Sequence, residues 1–178
     1  MLAKELKTSD PKLRLVKPDL ARDPKISVNW LKGNEGRNTL SQMGVPEKDI
    51  TEPTLRGEIS RVKDFIEKPS QLNWMIKFDN QIIGSIWVDI VEKYRTKPPS
   101  IHMMIGAPKF RRKGIGLIVM KTVLEYLVLQ GYSKVYSRYL EENGGSAKLS
   151  KNLGFRKLGK TYVDNDELVW QNIIYRKS

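Results

Sequence analysis

Two stretches of this 178-residue chain space glycines and cations in ways that could hold a phosphorylated ligand. The first, GFRKLGKT from Gly154 to Thr161, fits the letter pattern G-x-x-x-x-G-K-[ST] of a nucleotide-binding loop. Such a loop works between a strand and a helix that opens at the Lys-Ser/Thr, where backbone amides and the positive helix end meet the phosphates. Here Gly154 follows the helical AKLSKNL, and Thr161 opens TYVDNDELVWQNIIY, whose β-branched and aromatic residues around a central turn predict a hairpin. The pattern fails on its surroundings. The second stretch is FRRKGIG, Phe110 to Gly116, and its surroundings fit: strand-like IHMMIG precedes it and the long apolar run IGLIVMKTVLEYLVLQ follows. Gly114 and Gly116 let the backbone approach a bulky anion, and the unpaired amides of Arg112 to Leu117 would face it at the positive end of the helix. Arg111, Arg112 and Lys113 add charge. A dinucleotide-binding fingerprint would need a third glycine where Val119 stands, so this is a pyrophosphate cradle of another kind.

The remaining chemistry is limited by composition. There is no cysteine and only one histidine, His102, which excludes disulfides, thiolate nucleophiles and histidine-rich metal sites. Catalysis would fall to carboxylates, hydroxyls, lysines, the backbone and His102. The net charge of +12 is uneven: residues 1–100 carry 18 basic and 14 acidic side chains, residues 101–178 carry 14 and 6. That field favours anionic partners, whether a phosphorylated cofactor or nucleic acid. The opening MLAKELKTSDPKLRL lacks an apolar signal core, and no later run has the length of a membrane span, so a soluble cytoplasmic protein is expected.

The elements that must position these residues read as one mixed α/β domain over 1–178. Leu13–Val16 predicts a short strand after a polar lead-in, and helical fragments fall around 26–31 and 37–43. Thr54 can cap a helix to about Lys68, with Ile59, Val62, Phe65 and Ile66 on one face and Pro69 as the stop. Segments 72–78 and 81–92 around Asp79-Asn80 read as a hairpin. A strand over 101–106, a helix over 114–130 ended by Gly131, a strand over 134–140, a short helix over 146–153 and a hairpin around Asp164-Asn165-Asp166 complete the order.

Taken together, Arg111-x-x-Gly114-x-Gly116 after Pro108, the helix, KVYSRYL, then Asn143-x-x-Ser146 with Leu153-Gly154-Phe155, resemble the Gcn5-related N-acetyltransferase (GNAT) superfamily. IGAPKFRRKGIG and ENGGSAKLSKNLGFRKLG look most like its branch of ribosomal-protein N-terminal acetyltransferases and antibiotic acetyltransferases. The resemblance implies a mostly antiparallel central sheet of about six to seven strands, with 101–106 and 134–140 as a parallel pair that splays to admit the cofactor arm. It implies acetyl-CoA as cofactor, held by the cradle residues Arg111, Arg112, Lys113, Gly114, Ile115, Gly116 and Leu117 and by Asn143 and Ser146. Backbone groups near Met104 and Ile105 would then polarise the acetyl carbonyl for direct attack by a primary amine. His102 stands on the strand where relatives often carry a carboxylate base, with Asp89, Glu141 and Glu142 as alternatives. Many relatives place a tyrosine acid where this chain has Ser150, which leaves that acid to Ser150-positioned water or to Tyr139.

The acceptor is the least legible part. Asp164, Asp166 and Glu167 form the acidic cluster of the basic half and could steer a cationic amine, although a turn built for its backbone would read the same. Trp30, Trp74, Trp87 and Trp170 are candidates for pocket walls or for core. The leading expectation is acetyl transfer to a small-molecule amine or a protein N-terminus. The alternatives are an amine associated with RNA or a ribosome, and a non-enzymatic CoA-binding module. Relatives often pair, so a homodimer is also an expectation.

Overall fold

The computed structural model describes residues 4–177. β1 (Leu6–Lys7) pairs antiparallel with β2 (Leu13–Val16), and β2 pairs with β3 (Gln71–Phe78). Between β2 and β3 lie three helices, α1 (Asp23–Ser27), α2 (Gly33–Gln42) and α3 (Leu55–Glu67), with 3-10 turns at Val28–Trp30 after α1 and at Glu47–Asp49 after α2. Thr54 caps α3 as its type predicts, its hydroxyl accepting from the Gly57 amide at 3.1 Å. The buried face of α3 is rotated from the expected one, because Ile59 is exposed and Glu58 is buried in its place. That burial is tolerable since the Glu58 carboxylate accepts from Ser27 Oγ at 2.5 Å and from two nitrogens of Arg61 at 2.8 and 2.9 Å.

The expected hairpin forms from β3 and β4 (Gln81–Asp89) across Asp79-Asn80. β5 (Ser100–Ile105) then pairs antiparallel with β4, and the chain passes through the glycine loop into α4 (Ile115–Leu129). β6 (Lys134–Leu140), α5 (Gly144–Asn152), β7 (Arg156–Lys157), β8 (Tyr162–Val163) and β9 (Val169–Arg176) complete the chain. The sheet runs β1-β2-β3-β4-β5-β6-β9-β7, with β8 on β9. It exceeds the expected six to seven strands because β1, β7 and β8 are two-residue pairings, too short to leave an alternating pattern in the sequence.

One apolar cluster fills the space between the sheet and α4, where Val119, Val123 and Leu127 meet Ile101, Val135 and Ile173. A second, with Trp30, Leu31, Met75 and Met104, fixes the N-terminal helices to the opposite face. No helix of the described residues is long and apolar enough to cross a membrane.

Candidate active site

The glycine loop is shaped by two left-handed residues, Arg112 at φ +57° and Gly114 at φ +77°, and Gly114 caps α4. Alternating handedness of this kind turns successive amides towards one point, a concavity suited to an anion. Among the described residues, no backbone acceptor takes the amides of Arg112, Lys113, Gly114, Ile115 or Gly116. The Leu117 amide, expected in the same set, donates to the Gly114 carbonyl at 3.0 Å and is withdrawn from it. Arg111 is also engaged: its guanidinium donates to the carbonyls of Ile105 (2.9 Å) and Gly106 (3.1 Å) and to Thr39 Oγ1 (2.8 Å). It braces the end of β5 against α2, so the charge expected at the cradle from Arg111 is placed elsewhere and comes from the exposed Arg112 and Lys113.

β5 and β6 are parallel neighbours that separate almost at once. Their ladder is the pair Ser100 and Tyr136, with the Tyr136 amide on the Pro99 carbonyl at 2.9 Å. Ser137 Oγ then reaches the Ile101 carbonyl at 2.7 Å, and beyond it the strands diverge. Because backbone groups alternate along a strand, Ile101, Met103 and Ile105 turn theirs towards the gap. Those of Met104 turn towards β4, where a side-chain carbon on Gly84 would collide with the Met104 carbonyl oxygen. Of the two expected positions, Ile105 turns its backbone groups to the gap, as Met103 does, and Met104 turns its groups to β4. Gly116 lies beneath the gap, where an added carbon would come within 3.0 Å of Met103 Cε.

The gap opens into a cavity of about 350 Å³ whose walls include His102, Met103, Ser137, Arg138, Tyr139 and Trp170. His102 stacks on its cross-strand partner Trp87, with ring centroids 5.5 Å apart at 25°. Its Nε2 lies 3.1 Å from Ser100 Oγ and 3.3 Å from Asp89 Oδ2. Asp89 is 1% exposed, and its other oxygen accepts from Gln71 Nε2 at 2.5 Å. Burial pushes the Asp89 carboxyl up, but the His102 ring against Oδ2, the hydrogen bond from Gln71 and the nearby Lys93 outweigh it and hold the group below the ordinary aspartate value. An imidazole held by a buried carboxylate is an arrangement able to move a proton.

Tyr139, Ser146 and Ser150 line the same cavity. Burial, together with the Glu141 carboxylate, raises the Tyr139 phenol above the usual tyrosine value, so it stays protonated. Asn143 caps α5, its Oδ1 accepting from the Ser146 amide at 2.9 Å, and its Nδ2 donates to the Gln42 carbonyl at 3.2 Å, joining α5 to the end of α2. Glu141 and Glu142 are exposed.

In the acidic tip two of the three carboxylates are engaged. Asp164 Oδ2 accepts from the Trp170 indole at 2.7 Å, and Oδ1 accepts from the amides of Asp166 and Leu168 at 3.0 Å. Asp164 is a turn-former, its carboxyl held low by these bonds against the opposing effect of burial. Asp166 pairs with Lys48 at 3.5 Å, and Glu167 is an exposed turn residue at φ +63°. Of the tryptophans, Trp30 and Trp74 belong to the core, while Trp87 and Trp170 line the cavity. Arg138 and Tyr94, unmarked by any sequence pattern, line it too.

Comparison with known proteins gives this geometry a context. The model of the acetyltransferase (GNAT) family matches residues 40–155. The chain is 32% identical over 97 residues to the uncharacterized protein MJ1062 of Methanocaldococcus jannaschii, covering 54% of this chain and 20% of that protein. It is 22% identical over 132 residues to human N-acetyltransferase 8, covering 72% and 56%. It thus spans a fifth of the first relative and little more than half of the second. Among solved structures, a ribosomal L7/L12 alpha-N-protein acetyltransferase (RimL) in complex with coenzyme A superposes with a TM-score of 0.77 at 15% identity, covering 97% and 98% of the two chains. The microcin C7 self-immunity acetyltransferase MccE, in complex with acetyl-CoA and AMP, gives 0.76 at 16% identity and 94% of each chain. Spermidine N-acetyltransferase from Vibrio cholerae, with CoA and spermine, gives 0.71 at 14%, covering 94% and 96%.

Proposed function

The chain belongs to the acetyltransferase (GNAT) family, and from that premise we propose that it transfers an acetyl group from acetyl-CoA to a primary amine in the cavity beside β5 and β6. One observation carries the reading: five unpartnered amides lie next to a gap in the sheet, and that gap leads to a histidine backed by a buried carboxylate. The residues present fit acetyl-CoA, since the Arg112–Gly116 amides form a concave anion site and the gap exposes backbone groups of Met103 and Ile105 along its wall. When bound, that group supplies an activated thioester.

The chain's own residues supply the rest. The amides of Arg112–Gly116 hold the pyrophosphate, with Lys113 and Arg112 adding charge. Backbone N–H groups of Met103 and Ile105 donate to the acetyl oxygen, where charge develops. His102 takes the proton that the incoming ammonium must lose, and Asp89 with Gln71 fixes the ring so that the proton moves along one path. Tyr139, kept protonated, donates a proton to the leaving sulfur.

His102→Gln tests both halves of the proposal. Turnover should fall by about 10²- to 10⁴-fold, while the rise in unfolding midpoint caused by acetyl-CoA is unchanged. Undiminished turnover would remove His102 from the role, and absence of any acetyl-CoA stabilisation in the wild-type protein would overturn the function.

A further inference from the structure

Arg138 is the cation of the cavity that acetyl transfer as described does not use. Its guanidinium carbon lies 3.7 Å from the ring centroid of Trp170 and 4.5 Å from that of Tyr94. Nη1 donates to Tyr162 Oη at 3.3 Å, and that hydroxyl donates onward to the Tyr94 carbonyl at 3.2 Å. A guanidinium carries five N–H donors in a planar fork, and this is the one hydrogen bond Arg138 makes among the described residues.

The acids around it are committed elsewhere. Asp164 accepts from the Trp170 indole and two amides and feels the Arg138 charge without contact, Asp166 pairs with Lys48, and among the described residues no carboxylate oxygen lies within 4 Å of Arg138. Two rings lie close to the guanidinium carbon, and the N–H donors that bind carboxylates and phosphates in bidentate fashion are left over apart from the one on Tyr162. Arg138 also stands where the 350 Å³ cavity meets a neighbouring one of about 280 Å³, whose wall carries a second cation, Arg95, together with the engaged carboxylates of Asp164 and Asp166. A packing role alone would need neither the charge nor the unused donors.

We infer that Arg138 is a specificity residue that binds an oxyanion, carboxylate or phosphate, carried by the amine acceptor. The substrates are then amino acids or phosphate-bearing amines and not polycations, the opposite of what the acidic tip suggests in the sequence. The inference rests on the acetyl-transfer reading, and its test separates the two.

The test uses two matched pairs, tyramine with tyrosine and ethanolamine with O-phosphoethanolamine, and spermidine as the polycation. Each amine is assayed for thiol release from acetyl-CoA and for its effect on the unfolding midpoint of the CoA-saturated protein. In at least one pair the member carrying the carboxylate or phosphate should be preferred over the partner lacking it by about tenfold to a hundredfold. Which pair responds distinguishes carboxylate from phosphate. Arg138→Gln should erase the preference and Arg138→Lys should keep part of it, both with the acetyl-CoA shift intact, which also shows that they fold. No preference in either pair, a preference that survives Arg138→Gln, or spermidine as the best acceptor would each overturn the inference while leaving acetyl transfer standing. A wild-type protein that does not respond to acetyl-CoA would overturn acetyl transfer itself.

Discussion

Gly114 and Gly131 sit at opposite ends of α4 and make a controlled pair. Both have positive φ, +77° and +94°, and a side-chain carbon added at either would meet nothing within 4 Å. Replacing either by alanine therefore costs backbone strain and no packing, about 1 kcal/mol in each case. For a chain of this length that lowers the unfolding midpoint by roughly 2–4 °C. The two variants differ in what the strain is attached to. Relaxing Gly114 away from φ +77° turns the neighbouring peptide planes and takes at least one amide off the anion site, whereas Gly131 only closes the helix. One lost hydrogen bond to a charged group is worth about 1.5 kcal/mol, near tenfold in affinity. At a concentration 100 times the wild-type dissociation constant, acetyl-CoA stabilises the native state by about 2.7 kcal/mol, and a tenfold weaker variant by about 1.4 kcal/mol. In a thermal scan the ligand-induced rise should be about 5–11 °C for wild type and Gly131→Ala, and about 3–6 °C for Gly114→Ala. Equal ligand responses in the two variants would refute the assignment of the anion site to this loop.

Asp89→Asn should cost about 1–3 kcal/mol at neutral pH, because it breaks a buried hydrogen-bonded carboxylate. A depressed carboxyl lends stability that is fully present above its unfolded value, about 3.9, and lost as pH falls through the folded one. The wild-type midpoint should therefore fall more steeply than that of Asp89→Asn on acidification below about pH 4, and parallel curves would show that the carboxyl is not held low. Asp164→Ala should destabilise by about 2 kcal/mol in urea titrations, with Asp164→Asn intermediate, because three N–H donors lose their acceptor. Unchanged stability together with a raised KM for the amine would return the tip to an acceptor-binding role.

The elements that carry the cradle were legible because each is marked locally. β6 has the bounds expected for KVYSRYL, Thr54 caps α3, and Gly131 ends α4, since periodicity and caps are written within a few residues. The site beyond the cradle depends on pairings between distant segments. Gln71 meets Asp89, and Asp89 meets His102, only through the registers of β3, β4 and β5. The aromatic surroundings of Arg138 come from positions 94, 162 and 170, which no spacing rule connects. Met103 faces the gap and Met104 faces β4 because a strand's backbone groups reverse at every residue, so that direction follows from the partner strand and not from composition. The engagement of Asp164 was hidden for a related reason: a string of acids shows charge but not which oxygens the turn consumes.

The divergence of β5 and β6 also gives this sheet an edge in its interior. Unpaired strand backbone at a sheet's border invites foreign strands, and proteins usually blunt it with charge or bulges. Here the backbone of Met103 and the amide of Ile105 face β6 across a wedge that the single Ser137 hydroxyl stops at its narrow end and Arg111 caps at the Ile105 carbonyl, while α4 packs under both strands. A stray strand cannot lie along such a wedge without first prising apart the Ser100 and Tyr136 pairing and lifting α4. The opening that admits a ligand is thus guarded against self-association by its taper, and it needs no charged gatekeeper among its apolar side chains.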